Sequence, residues 1–261
     1  VTLGDATGDT FLFTGGMAFT GGAASNVAAD ITSTATDVNF GIGGVQLTAN
    51  SSVTTGGGNI TFGANAAGAA ADLLLDAGAA GTISATSMLV NNLEIINSNG
   101  ATFTGNVGTV GNLTITDTED GAVVSFQGGV GVDDLVTTAN GYLVSMTGDN
   151  NIFAAEVDFL NTGDVTIGDD TDDDFAFNGG LNFNTGVAGG AGVAGGPGSS
   201  ASTGRAQRRL DGHRRVDVLH AYDSGLPEWT SAGLPSGQSS RKPSGGRSRE
   251  SRQGAEITQL I

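Results

Sequence analysis

The 261-residue chain has no cysteine, which removes disulfides and thiolate metal centres from consideration. It has only 4 prolines, and together with 45 glycines these stay below the roughly 25% that marks low-complexity disorder. The glycine excess points instead to many tight turns. Basic residues are missing from residues 1–204, which carry 21 Asp and Glu, while all ten Lys and Arg lie between Arg205 and Arg252. The first segment is therefore a polyanion without a cation to neutralise phosphates, and neither nucleic acid nor an anionic membrane surface is an expected partner. The most apolar stretch, AAGAAADLLLDAGAAG (66–81), is broken by Asp72 and Asp76 and falls short of the ~18 uninterrupted apolar residues of a membrane span. VTLGDATGDTFLF, at the start, lacks the basic and apolar regions of a secretion signal. Beginning at Val1, the chain reads as a fragment.

What is present is repetition. ATFTGNVG (101–108) and VSFQGGVG (124–131) share a Phe with glycines behind it. The same shape recurs as AFTGG at Phe19, NFGIGG at Phe40, TFGANAAG at Phe62, TISATS at Ile83, SMTGDN at Met146, TIGDD at Ile167 and NFNTG at Phe183. With Phe103 and Phe126 the steps are 21, 22, 21, 20, 23, 20, 21 and 16 residues. NLTITDT, GAVVSF, GNITFG, TFLFT and EVDFL alternate apolar and polar residues and are rich in Thr, Val, Ile and Phe, which suits pleated strands. NG, GG, DG and GD pairs separate them and supply the positive φ of sharp corners.

A unit of about 21 residues with two or three short strands cannot bury its own apolar face, so copies must stack. The expected fold is all-β: a single-stranded parallel β-helix of about nine coils over residues 1–186, roughly 40 Å long, with all nine anchors in one interior column. A β-sandwich does not ask for a constant step, and a disordered chain does not ask for alternation. On this reading the ATFTGNVG and VSFQGGVG repetition is architecture. Function is expected where coils differ, as in the acidic turn at 168–174.

The series ITFGANAAGAAADLLLDAGAAGTIS, ATFTGNVGTVGNLTITDTEDGAVVSF and VDFLNTGDVTIG resembles the β-strand repeats of large bacterial surface proteins, the filamentous-haemagglutinin-like adhesins and autotransporter passengers. The resemblance covers residues 1–186. It implies a right-handed β-helix, export to the cell surface and a role as an adhesin stalk or adhesive rod, touching host or environmental glycans or surface proteins. The chain departs from a complete member of that family in showing no secretion signal, N-terminal cap or anchoring barrel. A purely structural surface-layer array is the other non-catalytic alternative.

From residue 187 the character changes. GVAGGAGVAGGPGSSASTG opens a Gly/Ala/Ser-rich linker over 187–204. RAQRRLDGHRR and SSRKPSGGRSRESRQG then make 205–261 a basic tail, expected to be disordered, while all 12 Phe lie before residue 187. A natural basic arm, a linker to a further domain and frame-shifted sequence are the three readings of that tail.

A β-helix can carry polysaccharide lyases and glycosidases, and Glu119 with Asp120 or Asp133 with Asp134 provides paired carboxylates. A lyase acting on uronates also needs a cationic group and a base, and residues 1–204 hold no Lys, Arg or His. The chain is therefore read as non-catalytic, with a polysaccharide-active enzyme as the alternative. GDDTDDDF (168–175) sets Asp169, Asp170, Asp172, Asp173 and Asp174 close together, and hard oxygen ligands at that density suit Ca²⁺. No cofactor is required, and the competing reading is a solvated acidic turn. Asp117, Glu119 and Asp120 form a weaker second cluster. Gly190, Gly192 and Gly195 have dinucleotide-loop spacing without a helix to follow. His213 and His220 read as surface residues, and Asn50, Asn59 and Asn112 sit in NxS/T triplets. Asn91, Asn92, Asn97, Asn99 and Asn106 read as turn residues able to stack between coils.

Overall fold

Alternation and glycine corners cut each repeat into three strands. In a computed structural model, which describes residues 1–170 and 173–183 and the backbone of Gly192–Val193, these strands stack into three parallel sheets of nine strands each. The first sheet runs through Thr2–Leu3, Ser25–Val27, Val45–Leu47, Ala66–Gly68, Met88–Val90, Val107–Thr109, Val130–Val132, Asn151–Phe153 and Phe175–Phe177. The second contains, among others, Asp30–Ser33, Ser51–Thr54, Leu73–Asp76, Leu93–Asn97, Asn112–Ile115, Asp134–Thr137, Val157–Phe159 and Leu181–Phe183. The third begins at Met17–Ala18 and includes Ile60–Phe62, Ile83–Ala85, Ala101–Phe103, Val123–Phe126, Leu143–Met146 and Val165–Ile167. Its last strand is Gly192–Val193, which pairs with Thr166 and Ile167 and carries the sheet into the stretch read as linker. Parallel neighbours need a long crossover, and here the crossover is the rest of the coil. The fold is a parallel β-helix with a repeat of about 21 residues.

Strict period-2 alternation decides which side of each strand is inside. In Val123–Phe126, Val124 and Phe126 are buried while Ser125 faces out. Inward residues of the three sheets meet in one continuous core; Ile31, Ile60, Leu75, Ile95, Phe103 and Phe126 are essentially inaccessible. Each such side chain stabilises the fold by roughly 1.5–3 kcal/mol through its removal from water. In the first coil Leu3, Phe13, Met17 and Phe19 are only partly buried, because they have a neighbouring coil on one side alone.

The aromatic column forms with two corrections. Phe19, Phe40 and Phe62 follow one another in the third sheet, with ring centroids 5.9 and 4.6 Å apart, and Phe103 stacks on Phe126 at 5.1 Å. Met146 and Ile167 continue the column. Ile83 does not belong to it: Ala85 pairs with Phe62 and Phe103, and Ile83 sits two residues earlier, between Ile60 and Ala101. Phe183 is in the second sheet, where it stacks on Phe159 at 5.4 Å. The 16-residue step before it arises because the chain there has turned through only two of its three sides.

Side-chain oxygens extend the ladders around the corners. Asn50 Oδ1 accepts from Asp72 N (2.9 Å), Asn91 and Asn92 donate to Asp72 Oδ1 (2.8 and 2.7 Å), and Asn92 Oδ1 accepts from Asn112 N (2.8 Å). On another edge Asp37 Oδ1 takes Asn59 N (2.8 Å) and Asn59 Oδ1 takes Thr82 N (2.9 Å). Backbone donors that a corner would leave without a strand partner are thereby satisfied. Of the asparagines read as turn residues, Asn92 bridges coils through Asp72 Oδ1 and Asn112 N, and Asn106 Oδ1 accepts from Gly129 N of the next coil. Of the glycosylation triplets, Asn50 and Asn59 spend their side chains in these ladders.

Candidate functional site

The acidic turn leaves the third sheet at Ile167, where Gly168 adopts a positive φ of 75° that swings the chain outward. The five aspartates then take different places. Asp173 turns inward and is only 2% exposed. Its Oδ2 accepts hydrogen bonds from the backbone N–H of Asp169 (2.6 Å) and Asp170 (3.1 Å). Two backbone amides meeting at one carboxylate oxygen close the turn. Asp169, Asp170 and Asp174 are exposed, and Asp172 lies outside the described residues. Asp174 contributes its carbonyl, which accepts from Asn151 N at 2.8 Å and pins the turn to the first sheet.

The turn meets a partner from the coil before it. Met146 pairs with Ile167, and continuing that register brings Asp149 opposite Asp170. One carboxylate oxygen from each of Asp149, Asp170 and Asp173 lies within 4.8 Å of the others. Two are on exposed side chains and one is buried, a set of hard oxygen donors of the kind a Ca²⁺ ion accepts, with further ligand positions left to solvent. The Asp169 carboxyl stands beside this group and is held above its usual value, first by desolvation and then by the negative charges of Asp173 and Asp170. Asp149 was missed in the sequence because it is twenty-one residues from Asp170; the signal was there in SMTGDN and TIGDD, whose aspartates fall one coil apart.

The other carboxylates are dispersed. Glu119 and Asp120 lie exposed on the corner between the second and third sheets, and Asp117 on the same corner is half-buried. Glu119 is anchored through its backbone N–H to Ser98 O at 2.8 Å. Asp133 is exposed, with its backbone N–H donating to Gly111 O at 3.1 Å, while Asp134 starts a strand of the second sheet. Next to the first of these corners, Tyr142 is buried, donating from its hydroxyl to Ile115 O (3.0 Å) and accepting from Thr138 N (2.9 Å). Burial pushes its phenol above the ordinary value, an effect that outweighs the opposing hydrogen bond from Thr138 N. His213, His220, Gly190 and Gly195 lie outside the described residues, as do the tail readings for 205–261.

No family model, curated protein or solved structure matches the chain.

Proposed function

We propose that this β-helix is a non-catalytic segment of an exported bacterial surface protein, acting as an adhesin stalk or adhesive rod outside the cell. One observation carries the reading: three sheets stack through nine coils with every strand parallel to its neighbours, which makes a stacked scaffold that repeats its outward side chains coil after coil. Such a scaffold transmits position rather than chemistry. Its acidic surface, with no Lys or Arg across residues 1–204, opposes collapse onto copies of itself or onto anionic surfaces. Contacts with glycans or surface proteins would come from side chains on the faces and corners, each weak and repeated along the rod. A Ca²⁺ ion is not required for this role; where one binds, Asp149, Asp170 and Asp173 are its ligands, and a melting curve unmoved by millimolar Ca²⁺ removes it from the account.

The test is adhesion against hydrolysis. Beads coated with the full chain are expected to be retained on glycan-bearing films, with homogalacturonan and alginate left at their original length. Shortened or unsaturated products from either polymer would replace the rod reading with the enzymatic one.

A further inference from the structure

Outward positions of the first sheet form a column that reads Ala67, Leu89, Gly108, Gly131, Ile152 and Ala176. Leu89 and Ile152 stand half exposed, at 52% and 51%, and between them two successive rungs carry no side chain. Beside these glycines, at the corner shared with the third sheet, lies a groove of about 450 Å³ that Gly108 and Gly131 help to line. Its polar lining comes from three successive coils: Asn106 from one, Gln127 from the next, and Asp149 and Asn150 from the third. Asn106 Oδ1 is engaged by Gly129 N at 3.0 Å, which leaves its amide N–H groups as the donors for a ligand. The corner beneath the groove is packed so closely against the adjacent coils that it admits only glycine: a Cβ on Gly128 would meet Gly105 carbonyl carbon at 2.3 Å, and one on Gly129 would meet Asp149 O at 2.4 Å.

A second feature adjoins the groove. In the third sheet the outward column is Thr61, Ser84, Thr102, Ser125, Ser145 and Thr166, six hydroxyls on six successive rungs about 4.8 Å apart. Neither of the other sheets has such a run. Its counterpart in the second sheet reads Asp30, Ser52, Leu74, Glu94, Thr114, with charges interspersed. On a rod that is otherwise polyanionic, the third face is an uncharged hydroxyl strip, and it leads past Ser125 and Gln127 into the groove.

We propose that the groove and strip together bind an uncharged polysaccharide, one sugar seated over Gly108 and Gly131 and the chain continuing along the hydroxyls. Amides, hydroxyls and one carboxylate, each able to donate to or accept from sugar hydroxyls, make up the lining. A uronate polymer is disfavoured by charge, since Asp149 lines the groove, Asp170 and Asp173 lie beside it, and residues 1–204 contain no Lys or Arg to pair with an acid. This proposal rests on the surface-rod reading and names where that rod makes contact.

Gly131 supplies the decisive variant. Its φ is not in the left-handed region and a Cβ there meets nothing within 4 Å, so Gly131→Val fits the strand while filling the groove. Valine also favours the pleated backbone over glycine, so the melting temperature is expected to hold or rise. The measurement is gel affinity electrophoresis of the full chain through dextran, xyloglucan, galactomannan and soluble β-1,3-glucan, with alginate and polygalacturonate as acidic controls. Retardation by at least one neutral polymer is expected, weakened at least about tenfold in Gly131→Val, with no retardation by the acidic ones. Ser125→Asp, a surface change on the strip, is expected to weaken binding at unchanged melting temperature and carries the test if the valine variant is destabilised. Absence of retardation by every neutral polymer, retention by acidic polymers alone, or parental binding in both variants would overturn the proposal and leave the rod standing. Release of shortened sugars would overturn both.

Discussion

Replacing Phe126 by alanine probes the stacked core midway along the third sheet. Phe126 is fully buried, its ring lies 5.1 Å from that of Phe103 at an interplanar angle of 10°, and its backbone is in register with Met146. Full burial of a phenylalanine side chain is worth roughly 1.5–3 kcal/mol of transfer free energy, and the cavity left by its truncation adds to that cost. Phenylalanine-to-alanine changes in close-packed cores cost about 3–5 kcal/mol, and a value near 4 kcal/mol is expected here. Because each coil touches only its neighbours, the loss should be local. Amide exchange is expected to accelerate first in Ala101–Phe103, Val123–Phe126 and Leu143–Met146, while Ser51–Thr54 keeps its protection. Phe13→Ala serves as the comparison, because Phe13 packs against the core from the half-buried first coil and should cost only about 1–2 kcal/mol. Urea unfolding followed by circular dichroism gives both values. Equal costs for the two substitutions, or exchange accelerated uniformly along the rod, would refute the stacked-column account.

Gly128→Ala places a methyl 2.3 Å from a backbone carbon of the coil before it, so the corner must shift; a loss of at least about 2 kcal/mol in chemical denaturation is expected, without any positive-φ strain. Tyr142→Phe leaves Ile115 O and Thr138 N without their hydroxyl partner and should cost about 1–3 kcal/mol. The raised phenol of Tyr142 gives a pH signature: its contribution to stability is intact below the unfolded phenol value of about 10 and is lost as pH climbs through the folded one, which spectrophotometric titration alongside alkaline unfolding will show. Among the carboxylates, Asp169 should titrate above the usual aspartate range and Asp9 below it, the latter because Asp5 and Ala6 N–H groups donate to it. Stability linked to Asp9 is therefore lost as pH falls through its lowered value, whereas that linked to Asp169 is present at low pH and lost as pH rises; carbon-detected NMR titration separates the two.

The β-helix was legible because burial demands period 2 within a strand and a near-constant step between coils, and both leave marks in the residues. The exact register was less so. The corner between the second and third sheets is Ser98–Gly100 in one coil and Thr116–Ala122 in the next, so a fixed step slips: it selected Ile83 where Ala85 holds the column. Phe183 carried the right residue type for the aromatic column and belonged to a different side of the coil. In the acidic turn, five aspartates are equivalent as letters, and only packing singles out Asp173 for the interior and recruits Asp149 from the preceding coil. The groove escaped notice for the opposite reason. Gly108 and Gly131 end the two stretches whose likeness announced the architecture, and a shared glycine looks like a corner until its neighbours Leu89 and Ile152 are seen standing on either side.

Strands that run across the axis have a mechanical consequence. Tension applied along the rod pulls one rung away from the next and loads the ladder hydrogen bonds a few at a time, as in unwinding thread from a spool, instead of shearing a whole sheet at once. A freed coil of about 21 residues lengthens the tether by about 65 Å, its extended contour of ~70 Å less the ~4.8 Å it occupied in the stack. Under sustained pull the rod would yield in small, evenly spaced increments, dissipating force coil by coil while the remaining coils stay stacked.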